Sequence, residues 1–352
     1  MRLPTEPIGS IPRPAELLEA VRANAAGRLS ETDLNAAYDR ALQDTIHRFE
    51  ATGSPVITDG EQTKASFVTY PLGGMTLEPN GVVIPFADGH SRQLPKLAGG
   101  PFRYQRHAVE FYKRASKYSH VPLKQAVISA SALSLLYPQQ SLPGYSRESF
   151  LRDLLDENEA DIRACLTAGA CKVQVDFTEA RLSLRLDPSQ GLLRSFIDLN
   201  NQVLGRFTAP ERDRLGVHTC PGGDQDSTHS ADVPYAELLP LLFEINVNNF
   251  YLQYASERDK RAVLQILRRV LKPSQRVFLG VTDVLNPRVE THDEIRDLIL
   301  EAAEFLPPAQ LGTTDDCGFA PFADDTSTSR EVAFAKIRAR VEGTRLAEVA
   351  LS

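Results

Sequence analysis

Eight times along this chain a short apolar or β-branched run ends in polar or small residues. These runs lie at 6–10, 54–61, 121–129, 171–177, 214–220, 249–254, 276–283 and 310–315. Helical patterns at 14–26 and 30–53 separate the first two runs, and patterns at 146–168, 192–207, 234–243, 258–271, 291–305 and 329–347 follow the third to the eighth. Alternation of this kind requires parallel strand pairing with right-handed crossovers. Eight such units in 352 residues predict an α/β fold, a single (β/α)8 TIM barrel domain spanning 1–352. Ser30 is the expected N-cap of the 30–53 helix, with Gly53 just past its end.

One stretch departs from that rhythm. From about 70 to 120 the chain is Gly-rich and strand-like, with a turn at 78–81, two extended runs at 82–86 and 92–97, and a short helix at 109–116. This predicts a hairpin-containing insertion after the second strand, on the side of the barrel where the strands end.

Composition narrows the function classes. A net charge of −7 implies no polyanionic partner, so nucleic acid is not expected. No apolar run approaches the ~20 residues of a membrane helix, and the first residues lack the pattern of a signal peptide. A cytoplasmic location is the expectation. Four cysteines, Cys165, Cys171, Cys220 and Cys317, are too few for a disulfide scaffold. Cys165 and Cys171 read as small core residues where a helix runs into a strand.

In barrels the chemistry sits at the C-terminal ends of the strands. The residues there are Ser10, Asp59, Glu61, Ser129, Asp176, His218, Cys220, Gln253, Asp283, Asp315, Asp316 and Cys317. His218 and Cys220, two apart at a strand end, point to one side, and a distant Cys317 on the same rim completes a set. Imidazole plus thiolates is ligand chemistry that suits Zn2+. Thiolate-rich ligation favours a bound, deprotonated substrate thiol over a hydrolytic hydroxide. His229, in a Ser/Thr/Asp loop beyond Cys220, and Asp283 are candidates for catalytic proton transfer, as are Asp315 and Asp316.

These residues resemble a known family. The runs Ile8-Gly9-Ser10-Ile11-Pro12-Arg13-Pro14, Asp59-Gly60-Glu61, Val173-Gln174-Val175-Asp176, His218-Thr219-Cys220 and Asp316-Cys317-Gly318-Phe319 are similar, in order, to the C-terminal catalytic barrel of cobalamin-independent methionine synthase, in its short, single-barrel form. The resemblance implies zinc held by His218, Cys220 and Cys317, with Gln253 where the family has its glutamate ligand, either as a fourth ligand or as a donor beside the metal that leaves that position to substrate. It implies an amino acid thiol, homocysteine, held at Ser10, Glu61 and Asp176. It further implies S-methylation to methionine by a methyltetrahydrofolate-type donor. Two departures affect the donor side: Phe177-Thr178-Glu179-Ala180-Arg181 stands where the family has an acid and a proline, and the chain contains no tryptophan.

Two other readings fit the same residues. Relatives in the superfamily alkylate coenzyme M with an epoxide, but a sulfonate calls for cations where this chain offers Glu61 and Asp176; Arg13, Lys64 and Arg181 keep that reading open. A uroporphyrinogen decarboxylase-like enzyme would need no metal, against which the His-x-Cys pair argues.

Overall fold

The computed structural model describes residues 2–352. Its centre is a six-stranded, all-parallel sheet. The strands are β1 (Lys124–Ile128), β2 (Lys172–Asp176), β3 (Leu215–Thr219), β4 (Asn249–Leu252), β5 (Arg276–Gly280) and β6 (Leu311–Thr314), and each pairs with its neighbours in sequence. β1, β3 and β4 are buried along their whole length. Such burial is what helices packed over a parallel sheet produce. Long helices connect the strands, among them Arg147–Ala168 between β1 and β2 and Gly191–Leu204 between β2 and β3.

The first two runs do not form strands. Thr5 makes a single parallel bridge to Thr313, and Ile57 a single parallel bridge to Leu123, one at each edge of the sheet. Proline accounts for this brevity: Pro4, Pro7 and Pro55 bring no N–H to a ladder. The two runs also meet each other. Ile11 N donates to Gly60 O at 3.0 Å, and Thr58 Oγ1 donates to Gly9 O at 2.9 Å.

Between the second run and β1, Val83–Pro85 pairs antiparallel with Ser91–Gln93, and Leu77–Glu78 with Lys96–Leu97. The helix Ala108–Ala115 follows. The Ser30 hydroxyl caps Glu31–Glu50 by accepting from Asp33 N at 3.1 Å.

Three short α-helices have no counterpart in the sequence reading: Ala130–Ser134, Glu179–Leu186 and Ala209–Arg212. Glu179–Leu186 begins three residues past Asp176, and it carries two charged residues, Glu179 and Arg181, into the interior.

Candidate metal centre

Register brings the site together. In the β2–β3 pairing Asp176 stands opposite His218, and in the β3–β4 pairing His218 stands opposite Tyr251. His218 Nδ1 lies 3.1 Å from Tyr251 O. A backbone carbonyl can only accept, so Nδ1 carries the proton and Nε2 presents its lone pair. That Nε2 is buried and has no partner among the described residues. The ligand atoms of His218, Cys220 and Cys317 lie within 4.8 Å of one another, and all three residues are buried. The two sulfurs are 3.0 Å apart. That contact, together with burial, pushes the Cys317 thiol well up from its ordinary range. A soft dication would replace this thiol–thiol contact by two thiolate bonds and take up the orphaned imidazole lone pair. The donor set fits zinc.

These three residues line a cavity of about 270 Å³ together with Ser10, Glu61 and Asp176. Ser10 sits against the loop that follows Cys317: Phe319 N donates to Ser10 O at 3.0 Å, and Ala320 N to Ser10 Oγ at 3.2 Å. A Cβ at Gly318 would fall 2.1 Å from Ser10 Oγ, so only glycine allows that approach. Buried Arg13 ties three loops together, donating to Glu61 O at 2.8 Å, to Lys64 O at 3.0 Å and to Ala320 O. Glu61 itself has φ 55°, a left-handed conformation that costs a non-glycine residue energy and is found at sites held by their surroundings.

Two of the cavity carboxyls, Glu61 and Asp176, feel desolvation. Burial raises the pKa of Glu61, opposed by Lys64 Nζ at 3.1 Å. Burial likewise raises Asp176, opposed by His218 and by Gln174, whose Nε2 donates at 2.8 Å.

The remaining residues expected at the site are dispersed. Gln253 lies near the cluster, but its Oε1 accepts from Arg181 at 3.1 Å and its Nε2 donates to Ser256 Oγ at 2.6 Å. Arg181 also bonds Glu257 at 2.7 Å. Gln253 and Asp283 line a second cavity, of about 520 Å³, which meets the first at Gly223 and Cys317. Asp283 is half-buried, and its Oδ1 accepts from Leu285 N at 3.1 Å. Asp315 is held by Thr282 and Arg340, the latter at 3.0 Å. Asp316 accepts from the backbone N–H groups of Tyr254, Ala255 and Ser256, each at 2.8 Å.

His229 does line the first cavity. Burial, with the cations Arg185 and Arg181, pushes it down to about 4. It is therefore neutral near pH 7, with Nδ1 2.9 Å from Ser230 Oγ, and holds no imidazolium proton to give. Gly222, at φ 71°, packs on its ring; a Cβ there would sit 1.8 Å from Nε2.

The sequence reading missed Glu179. It lines the first cavity at 6% exposure, and its Oε1 accepts from Ser129 Oγ at 2.6 Å and from Ser131 Oγ. A helical reading of 179–186 would have placed it three residues past Asp176, facing the same space.

The hairpin roofs this cavity with Ile84, Phe86 and Leu94. Arg92 fastens it down. Its guanidinium bonds Asp224 at 2.5 and 3.0 Å and Asp324 at 2.9 and 3.0 Å, and its carbon lies 4.3 Å from the Phe322 ring centroid.

The sequence model of the family described as "Cobalamin-independent synthase, Catalytic domain" matches residues 3–342. The chain belongs to that family. It is 24% identical to a methionine synthase of Sulfurisphaera tokodaii, over 98% of this chain and 92% of that protein. It is 26% identical to a 5-methyltetrahydropteroyltriglutamate–homocysteine methyltransferase of Bradyrhizobium diazoefficiens, over 90% of this chain but only 38% of that protein's length. In fold it is similar to a B12-independent methionine synthase from Shewanella, solved with selenomethionine, at a TM-score of 0.77 and 20% identity, covering 100% of this chain and 99% of that one. No described helix of this family member is long and apolar enough to cross a membrane.

Proposed function

We propose that this chain methylates the sulfur of homocysteine to give methionine, as a zinc-dependent enzyme with a methyltetrahydrofolate-type donor. On this reading the two bridging N-terminal runs complete an eight-stranded (β/α)8 barrel, and the hairpin is an insertion after its second strand. The observation that carries the proposal is the buried cluster of His218, Cys220 and Cys317 on the wall of a cavity that also presents Ser10, Glu61 and Asp176.

Zinc at that cluster would supply one thing: it lowers the pKa of a substrate thiol, so that sulfur is nucleophilic near neutral pH. The chain's residues do the rest. Glu61 and Asp176 take the substrate ammonium, and Ser10 with neighbouring backbone N–H groups takes its carboxylate. That fixes the sulfur relative to the incoming methyl and removes rotational freedom before reaction. The roof of Ile84, Phe86 and Leu94 excludes water.

Gln253 belongs beside the centre rather than on it. Its carboxamide oxygen already accepts from Arg181, so His218, Cys220 and Cys317 would hold the metal, and the substrate thiol would join them there. The carboxylates of the cavity favour an ammonium-bearing thiol over a sulfonate such as coenzyme M.

The test is zinc content followed by X-ray absorption at the zinc edge with added homocysteine. One zinc per chain that gains a sulfur neighbour supports the reading. A protein that binds no zinc, or one whose zinc environment ignores homocysteine, overturns it.

A further inference from the structure

Glu179 is a buried carboxyl with one oxygen committed and the other free. Oε1 accepts from Ser129 Oγ at 2.6 Å and from Ser131 Oγ; Oε2 is buried and has no partner among the described residues. The hydroxyls are themselves fixed. Ser129 caps Ala130–Ser134, and Ser131 exchanges hydrogen bonds with Asn200, at 2.8 Å from Asn200 Nδ2 and 3.2 Å to its Oδ1. A lone carboxylate oxygen in such a place would be an unpaired buried charge, whereas a protonated one is a donor waiting for an acceptor. Glu179 and the metal-ligating candidates line the same cavity.

We propose that Glu179 is the general acid of the reaction, donating its proton to the leaving nitrogen of a neutral N-methyl amine donor. This rests on the methyl-transfer reading above and deepens it, because it selects the class of donor. As the sulfur–carbon bond forms, the carbon–nitrogen bond breaks. The nitrogen keeps that electron pair and takes the Glu179 proton. The carboxylate left behind is faced by the Ser129 and Ser131 hydroxyls, which stabilise it. The proton lost by the thiol passes to solvent, and solvent restores the proton on Glu179, so each turnover balances. A sulfonium donor would leave as a neutral sulfide and would need no such acid.

Burial holds Glu179 near the right acidity, pushing it up to about 7 against the pull of the two hydroxyls. The charged neighbour that acts on it is Asp176, which pushes in the same direction. From the other packed elements it meets Ser129 and Ser131, with Asn200 behind them. An acid poised near the working pH is the most effective proton donor.

The experiment compares wild type with Glu179→Gln, an isosteric change that keeps acceptors for both serines. Zinc-loaded protein with homocysteine is given either 5-methyltetrahydrofolate or methyl iodide, an electrophile whose leaving group needs no proton. Glu179→Gln is expected to slow transfer from the amine by about 10²-fold or more, while alkylation by methyl iodide and zinc content stay at wild-type levels. The wild-type amine rate should decline as pH rises through about 7, and that decline should vanish in the variant. Infrared difference spectra of wild type minus variant should show a protonated carboxyl that titrates over the same range. Equal amine rates in the two proteins overturn the proposal, as does a missing carboxyl band. A wild type that reacts with methyl iodide but not with the amine also overturns it. A wild type that binds no zinc and alkylates no thiol fails the methyl-transfer reading instead.

Discussion

Asp316 Oδ2 accepts two hydrogen bonds from Ser256, from its N at 2.8 Å and from its Oγ at 2.6 Å. Oδ1 of the same carboxylate takes the amides of Tyr254 and Ala255. One side chain, adjacent in sequence to Cys317, therefore clamps the loop after β4 that holds Gln253. Asp316→Ala leaves three backbone donors and a hydroxyl without their acceptor. It is expected to lower stability by about 3 kcal/mol and zinc affinity by 10-fold or more, as loss of an orienting partner does. Chemical denaturation and competitive chelation measure the two effects.

If His218, Cys220 and Cys317 are the ligands, Cys220→Ser and Cys317→Ser should each reduce zinc from one equivalent to well below one. Gln253→Ala should hold a full equivalent, because its oxygen already serves Arg181. Metal analysis after gel filtration against a weak chelator decides this. Loss of zinc from Gln253→Ala would put the carboxamide on the metal.

Two of the cavity carboxyls, Glu61 and Asp176, should show themselves in substrate binding. Glu61→Gln and Asp176→Asn each remove one charged hydrogen bond to the ammonium, worth roughly 1.5–3 kcal/mol. KM for homocysteine should rise about 10- to 100-fold. Steady-state kinetics with homocysteine and with its desamino analogue would check the assignment, since the analogue should be insensitive to either change.

Arg92 and Asp224 hold the hairpin over the cavity at 2.5 Å. The Asp224 side chain is fully buried and also lies 3.1 Å from His90. Asp224→Ala should free the roof. Amide hydrogen exchange over residues 83–93 is expected to accelerate by 10-fold or more, with little change in the six-stranded sheet.

A pH effect on stability follows from Asp161. Burial raises it to about 6, although Tyr70 Oη donates to it at 2.5 Å and Ala108 N at 2.6 Å. A carboxyl whose folded pKa lies above its unfolded value contributes stability that is complete at pH below about 4 and is lost as pH rises through about 6. Up to about 3 kcal/mol is at stake for that rise. Asp161→Asn should therefore flatten the change in unfolding free energy between pH 4.5 and 7.5, measured in urea.

The sequence by itself determined the parallel α/β core and the three metal-ligating candidates. Periodic burial is a local property, so strands such as Leu215–Thr219 and helices such as Arg147–Ala168 declare themselves through their own residues. His218 and Cys220 could be paired because they share one strand end, and Cys317 because a barrel gathers strand ends on one rim. Tertiary structure alone decided the rest. Proline cut the first two runs to single bridges, since a missing N–H matters only where a neighbouring strand would have used it. The eight-residue helix Glu179–Leu186 is too short for periodicity to reveal, yet it sets both Glu179 and Arg181. Arg181 reaches across to Gln253 and Glu257, a pairing of residues more than seventy positions apart that no local pattern encodes. Burial likewise decides protonation: His229 and Glu179 are ordinary titratable residues in the sequence; desolvation, with the cations Arg185 and Arg181, pushes the first down, and desolvation makes the second an acid near pH 7.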